Sequence, residues 1–145
     1  IQKWITILAR AKPIDLKLQN ILLYWSLLSP NPTKGQLEEW LAISNQHLSR
    51  APNDLQFRIT TGLAFLRNDL PVEALSILEH TPWKAIARPS WKLTRPAWAR
   101  IYAVALARNQ RTEESIDLVN AVAAKSSSRA ETLSLLEIFP STLKP

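Results

Sequence analysis

Glycine is nearly missing from this chain: Gly35 and Gly62 are the only two in 145 residues. Antiparallel sheets take glycine at their tight turns, and phosphate loops take it in clusters. Two solitary glycines therefore argue against an all-β fold and against a nucleotide loop together. Cysteine is absent, which removes disulfides, a thiol nucleophile and thiolate zinc ligation, and leaves the redox compartment open. Methionine is absent too, even at position 1, where the chain opens on IQKWITILAR; the expectation is a piece of something longer. No apolar run approaches the roughly 18 residues of a membrane-crossing helix. The segment ILLYWSLL (21–28) follows Asp15, Lys17, Gln19 and Asn20 and reads as a buried helix.

Acid is the next thing missing, and only locally. The net charge of +6 is concentrated between residues 80 and 112, where Lys84, Arg88, Lys92, Arg95, Arg100, Arg108 and Arg111 meet no Asp or Glu at all. Upstream of 80 the chain is close to neutral, and beyond 112 it is slightly acidic. Segregated charge of this kind speaks to anionic partners rather than to fold. The same segment holds Trp83, Trp91 and Trp98, with Pro82, Pro89 and Pro96.

Proline punctuates the rest. Pro13, the Pro30/Pro32 pair, Pro52, Pro71, Pro82, Pro89, Pro96 and Pro140 mark off stretches of about 10 to 17 residues with helical apolar spacing. Ile14, Leu18, Ile21 and Trp25 form one stripe; Leu37, Trp40, Leu41, Ser44 and Leu48 form a second; Leu55, Ile59, Leu63 and Leu66 form a third. Later stripes are Leu75 with Leu78, Ile101 with Ala105, Ile116 with Val119 and Val122, and Leu133, Leu135, Leu136 and Phe139. Asp69 is placed to cap the helix beginning at Pro71. Thr112 stands before two acids suited to a first turn, and Ser128 with Glu131 has capping-box spacing. The spacing predicts an all-α chain of about seven helices, with no strand.

An internal repeat emerges from the same spacing. In GLAFLRNDLPVEALSIL (62–78), Gly62 precedes Phe65, a polar turn follows, and Ala74 and Leu78 come next. AVALARNQRTEESIDLV (103–119) restates this layout with Ala103, Leu106, a polar turn, Ser115 and Val119, at an offset of 41. Small residues allow two helices to approach closely, and bulky ones fill the groove to the next pair.

On these residues the chain resembles the tetratricopeptide repeat. TGLAFLRNDLPVEALSILE (61–79) is similar to that family's helix–turn–helix, with Gly62, Phe65, Ala74 and Leu78 at its signature places, and the Pro-Asn-Asp at 52–54 resembles its repeat-closing proline. The spacing of about 39–41 exceeds the family's roughly 34, and residues 30–35 and 81–96 are insertions. The resemblance implies an all-α, right-handed α-solenoid of antiparallel helix pairs at about 14–49, 52–80 and 94–125, forming one domain.

Chemistry is weighed against blander readings. His47 and His80 are the only histidines, and neither has an acid at ligand spacing, so both read as surface residues, with no metal or cofactor. The pairs Glu38/Glu39 and Glu113/Glu114 read as complements to a helix dipole in the first turn of each second helix, rather than as a catalytic dyad. No nucleophile-and-base pattern appears, and the chain is read as no enzyme. Trp4, Trp25, Trp40 and Trp98 are expected in the core. Trp83 and Trp91 either pin the 81–96 connection to the core or flank a binding surface.

The resulting expectation is a non-catalytic protein–protein interaction module, holding an acidic peptide or partner protein in a groove lined by the first helix of each pair. The candidate contacts are Arg58, Phe65, Lys84, Arg88, Trp91, Lys92, Arg95, Arg100 and Tyr102. Two alternatives stand beside it. One is a nucleic-acid-binding repeat using residues 83–111. The other is an accessory domain of a larger enzyme or membrane-anchored protein, whose exposed end helix would make the isolated piece self-associate.

Overall fold

The computed structural model describes residues 15–81, 96–123 and 129–143. Among these residues it has eight helices and no strand: α1 Leu16–Leu27, α2 Lys34–Arg50, α3 Leu55–Arg67, α4 Pro71–Leu78, α5 Pro96–Arg108, α6 Thr112–Ala123, α7 Arg129–Ile138 and α8 Pro140–Leu143. The all-α expectation holds.

Local chemistry sets most of the boundaries. Thr33 opens α2 with a reciprocal capping box: Gln36 N–H donates to Thr33 Oγ1 at 3.1 Å, and Thr33 N–H donates to Gln36 Oε1 at 2.8 Å. Asp54 opens α3 by accepting from Phe57 N–H. Pro71 begins α4 at a position whose N–H has no helical partner anyway. Asp69, expected to cap α4, does not: Leu70 occupies the cap position and makes no side-chain bond. Asp69 has instead a left-handed backbone, φ 57°, and closes the end of α3.

That closure is repeated 41 residues later. Leu70 N–H reaches back to Phe65 C=O at 2.9 Å and Asp69 N–H to Leu66 C=O at 3.1 Å; Arg111 N–H reaches Leu106 C=O at 2.9 Å and Gln110 N–H reaches Ala107 C=O at 3.1 Å. Gln110, the counterpart of Asp69, is the other non-glycine residue with positive φ among the described residues, 65°. Both are Schellman endings with the left-handed residue just past the helix. The side chains repeat as well. Asn68 Nδ2 donates to Ala64 C=O and to Leu37 C=O in α2, while Asn109 Nδ2 donates to Ala105 C=O and to Pro71 C=O in α4. Each asparagine thus ties its own turn to the helix pair before it. Arg67 donates to Leu27 and Ser29 carbonyls at the end of α1, and Arg108 reaches Leu66 C=O at the end of α3.

Packing follows chain order at first. Helix α3 lies against α1, α2 and α4, and α5 lies against α3, α4 and α6. Gly62 lets α3 meet α4: a Cβ there would sit 2.6 Å from Leu78 Cγ and Cδ2. At the corresponding place in the second copy, Ser115 Oγ donates to Ala103 C=O at 2.7 Å and draws α6 against α5. One core unites the set, from Leu23 and Leu27 through Ile59, Leu63 and Leu78 to Ile101, Val104, Val122 and Leu135.

Helix α7 then leaves chain order. It packs on α5, and its first turn reaches α1, where Tyr24 O–H donates to Glu131 Oε2 at 2.8 Å. Beyond its far end, Phe139 lies under Arg108 of α5, 5.3 Å from guanidinium carbon to ring centroid. Leu135, Phe139 and Leu143 are buried in the common core. The last helices therefore strap α1 to α5.

Helix α1 presents a different face from the one its stripe predicts. Leu18, Ile21 and Trp25 are exposed, at 49%, 39% and 38%, while Gln19, Asn20, Leu23, Tyr24, Ser26 and Leu27 are buried. Trp40 is buried, and Trp98 is half-buried against the core. Ile116 and Leu133 point outward, leaving Val122, Leu135 and Phe139 as the core residues of their stripes.

Candidate functional site

Of the nine residues expected to contact a partner, Lys84, Arg88, Trp91, Lys92 and Arg95 lie outside the described residues. The other four take different roles. Arg58 is turned into its own fold: Nη2 donates to Ile77 C=O at 2.7 Å near the end of α4, and Nη1 donates to Pro52 C=O at 3.2 Å. A cation at a helix C-terminus satisfies orphan carbonyls and complements the dipole. Phe65 packs against the core from a half-buried position, and its carbonyl accepts from the Leu70 and Asn68 N–H groups at the α3 ending. Tyr102 is buried, and burial raises its phenol pKa above the usual value, with Arg111 opposing and Glu79 and Glu114 adding to the rise. Arg100 is the residue that opens onto space.

Arg100 lies in α5, whose residues from Pro96 to Leu106 are buried on almost every side. It is 9% exposed, and its Nη1 is buried without a hydrogen-bond partner. Burial lowers its pKa, but a guanidinium keeps its charge in a protein. It lines a cavity of about 640 Å³ between α5, α6, α7 and α8. Ile116 and Val119 of α6, Leu136 of α7 and Leu143 of α8 give it apolar lining, and Ser115, Asn120, Thr132 and Thr142 are among its polar lining residues. Arg100 is the only charged side chain among the lining residues.

The other basic residues of 96–112 are engaged. Arg111 forks onto Glu114, with Nε to Oε1 at 2.8 Å and Nη2 to Oε2 at 2.6 Å, and extends Nη1 to Glu79 Oε1 at 2.7 Å. These bonds raise its pKa and hold the Glu114 carboxyl below its ordinary range. Arg108 lies 3.6 Å from Asp69 and over Phe139.

The histidines divide. His80 is exposed, as expected. His47 is not a surface residue: it is 4% exposed and packs 5.9 Å from Phe57. Thr60 Oγ1 donates to Asn20 Oδ1 at 2.7 Å, which turns Asn20 Nδ2 toward His47 Nδ1 at 3.1 Å. The ring nitrogen accepts that bond and is held neutral, and burial first, then Arg50, lowers the His47 pKa. Glu113 and Glu114 stand in the first turn of α6 as expected, but Glu38 and Glu39 fall in the second turn of α2, whose first turn holds no acid. No group of three or more His, Asp or Glu suited to a metal occurs among the described residues, and no described helix is long and apolar enough to cross a membrane.

The cavity had one legible trace in the sequence: a lone charge inside a helix whose other residues from 96 to 106 are apolar or aromatic. Charge on a helix buried all round needs a partner or a purpose. Comparison with family models, with curated proteins and with solved structures found no match.

Proposed function

We propose that the chain is a non-catalytic interaction module, a tetratricopeptide-like stack of helix pairs that carries a protein partner on its outer surface. The architecture draws support from the turn that recurs 41 residues on, with matching Schellman closure, asparagine bridge and arginine latch. Each pair leans on the one before it, which is how repeat stacks bury faces that single pairs leave open.

The observation that carries the functional reading is the inversion of α1. A helix that buries Leu23, Tyr24 and Leu27 together with Gln19, Asn20 and Ser26, and still shows Leu18, Ile21 and Trp25 to water, has a second apolar stripe that a partner, rather than its own core, can cover. The groove expected along the first helices is a poorer candidate, because α7 already lies from α1 to α5. The nucleic-acid reading loses weight on charge. Of the seven bases between 80 and 112, Arg100 is buried and Arg108 and Arg111 face carboxylates.

A pull-down from source-cell lysate tests this with the wild type, Leu18→Glu/Trp25→Glu, and Arg88→Ser/Lys92→Ser/Arg95→Ser, each with and without nuclease. Capture of the same proteins by wild type and the basic-segment variant, lost in the α1 variant, supports the reading. Capture abolished by nuclease, or unchanged in the α1 variant, overturns it. Substitutions on an exposed face move stability by less than about 0.5 kcal/mol each, so the α1 variant should melt close to the wild type.

A further inference from the structure

We propose that the cavity behind Arg100 binds a small amphipathic monocarboxylate, an acid group carried on an aliphatic or aromatic body. This site is separate from the α1 surface and does not depend on it.

The argument starts from an unmet need. Buried charges in folded proteins are paired or hydrogen-bonded, because taking an ion out of water is costly unless something replaces the water. Arg100 is nine-tenths buried, its Nη1 has no partner, and no described carboxylate reaches it. Tyr24, Arg108 and Arg111 all find partners nearby. Arg100 Nη1 is one of three buried side-chain atoms without a partner among the described residues, with Arg58 Nε and Thr81 Oγ1, and Arg100 lines a cavity between these helices.

The walls then define the ligand. A planar guanidinium matches a carboxylate in size and geometry. One cation, with no second base among the described lining residues, suits a single negative charge and not a polyphosphate. Ile116, Val119, Leu136 and Leu143 supply an apolar lining that an inorganic anion would leave in contact with water. A volume near 640 Å³ lies within the range of about 300–1,000 Å³ that small-molecule sites occupy. Thr132 and Thr142 offer hydroxyls to any polar substituent along the body.

The test uses the purified 145-residue chain and four probes: octanoate, octanol, octylamine and inorganic phosphate. Titration calorimetry reads affinity, and amide NMR shifts locate the site. Octanoate should bind at least tenfold more tightly than octanol or octylamine, with shifts centred on Arg100, Val119 and Leu136, and phosphate should neither bind nor compete. Arg100→Met should reduce octanoate binding to the octanol level while melting no lower than wild type, since it removes an unpaired buried charge and keeps the side-chain length. Equal affinities for acid and alcohol, phosphate competing with octanoate, unchanged octanoate binding in Arg100→Met, or no binding by any probe would each sink the proposal. The ligand series on the wild-type chain decides the matter even if the variant folds poorly.

Discussion

Tyr24 in α1 donates its hydroxyl to Glu131 in α7 at 2.8 Å, across 107 positions of sequence and inside the protein. This bond, with Phe139 under Arg108 at the other end, turns a row of helices that contact their neighbours into a row held at both ends. Tyr24→Phe keeps the ring and deletes the donor to a carboxylate that is 3% exposed. Removing one partner of a buried polar pair costs about 1–3 kcal/mol. Urea unfolding should show a loss of that size, whereas Leu133→Ala on the exposed side of the same helix should change stability by less than about 0.5 kcal/mol.

The two glycines should respond oppositely to alanine. At Gly62 a new Cβ meets three carbons of Leu78 at 2.6–2.8 Å, so overpacking of about 1–3 kcal/mol outweighs the roughly 1 kcal/mol of helix propensity gained. At Gly35 the nearest atom is Thr33 Oγ1 at 4.0 Å, and the propensity gain stands alone. Thermal melts of the two variants should move in opposite directions from the wild type; movement in the same direction contradicts the close approach of α3 and α4.

Gln110 has a left-handed backbone without the freedom of glycine. Gln110→Gly should stabilise the chain by up to about 1 kcal/mol, the cost of placing an L-residue there being about 1–2 kcal/mol less the entropy glycine loses on folding. Asn109→Ala, one residue earlier, should do the reverse, because it removes the side-chain bonds to the carbonyls of Ala105 and Pro71 that tie α5 to α4. Asn68→Ala should match it in size if the two turns are equivalent.

Acid should weaken the fold through His47. Its folded-state pKa lies below the ordinary 6.5 because burial, and then Arg50, disfavour the charged ring. Between that lowered value and 6.5 the unfolded chain binds more protons than the folded one, so stability rises with pH across this window. It is fully present above about 6.5 and is lost as pH falls through the window. Protonation of Nδ1 also removes the acceptor for Asn20. Melting temperatures taken from pH 7.5 to 5 should drop for the wild type, with a shallower drop for His47→Gln; parallel curves would show that His47 is not the group responsible.

The sequence made some of this legible and hid the rest for physical reasons. Helix content and the 41-residue offset could be read because Gly62, Ala74 and Leu78 have counterparts at Ala103, Ser115 and Val119, and close packing leaves a local imprint on residue size. The face of α1 could not, because ILLYWSLL is apolar all round its axis. Leu23 with Leu27 and Leu18 with Ile21 and Trp25 satisfy helical spacing equally well. What decides between them is polar: Asn20 must reach both Thr60 and His47, partners 40 and 27 residues away. The inward role of Arg58 leaves no trace in the sequence, because nothing nearby shows that Ile77 C=O needs a donor. The strap is invisible for the same reason, since Tyr24 and Glu131 share no periodicity.

The strap also bears on synthesis. Ser115 finds Ala103 after only 12 residues, but Tyr24 waits for a residue 107 positions later. Each doubling of a closing loop adds only about 0.6 kcal/mol of entropy, so the delay matters more for timing than for final stability. On the ribosome the first helix pairs can associate as they emerge, but Tyr24 and the core surface destined for Leu135 and Phe139 stay uncovered until residues 129–143 have been made. Until then the nascent chain carries a surface waiting for a later segment, and a release interrupted before residue 129 would leave that surface for other proteins to find.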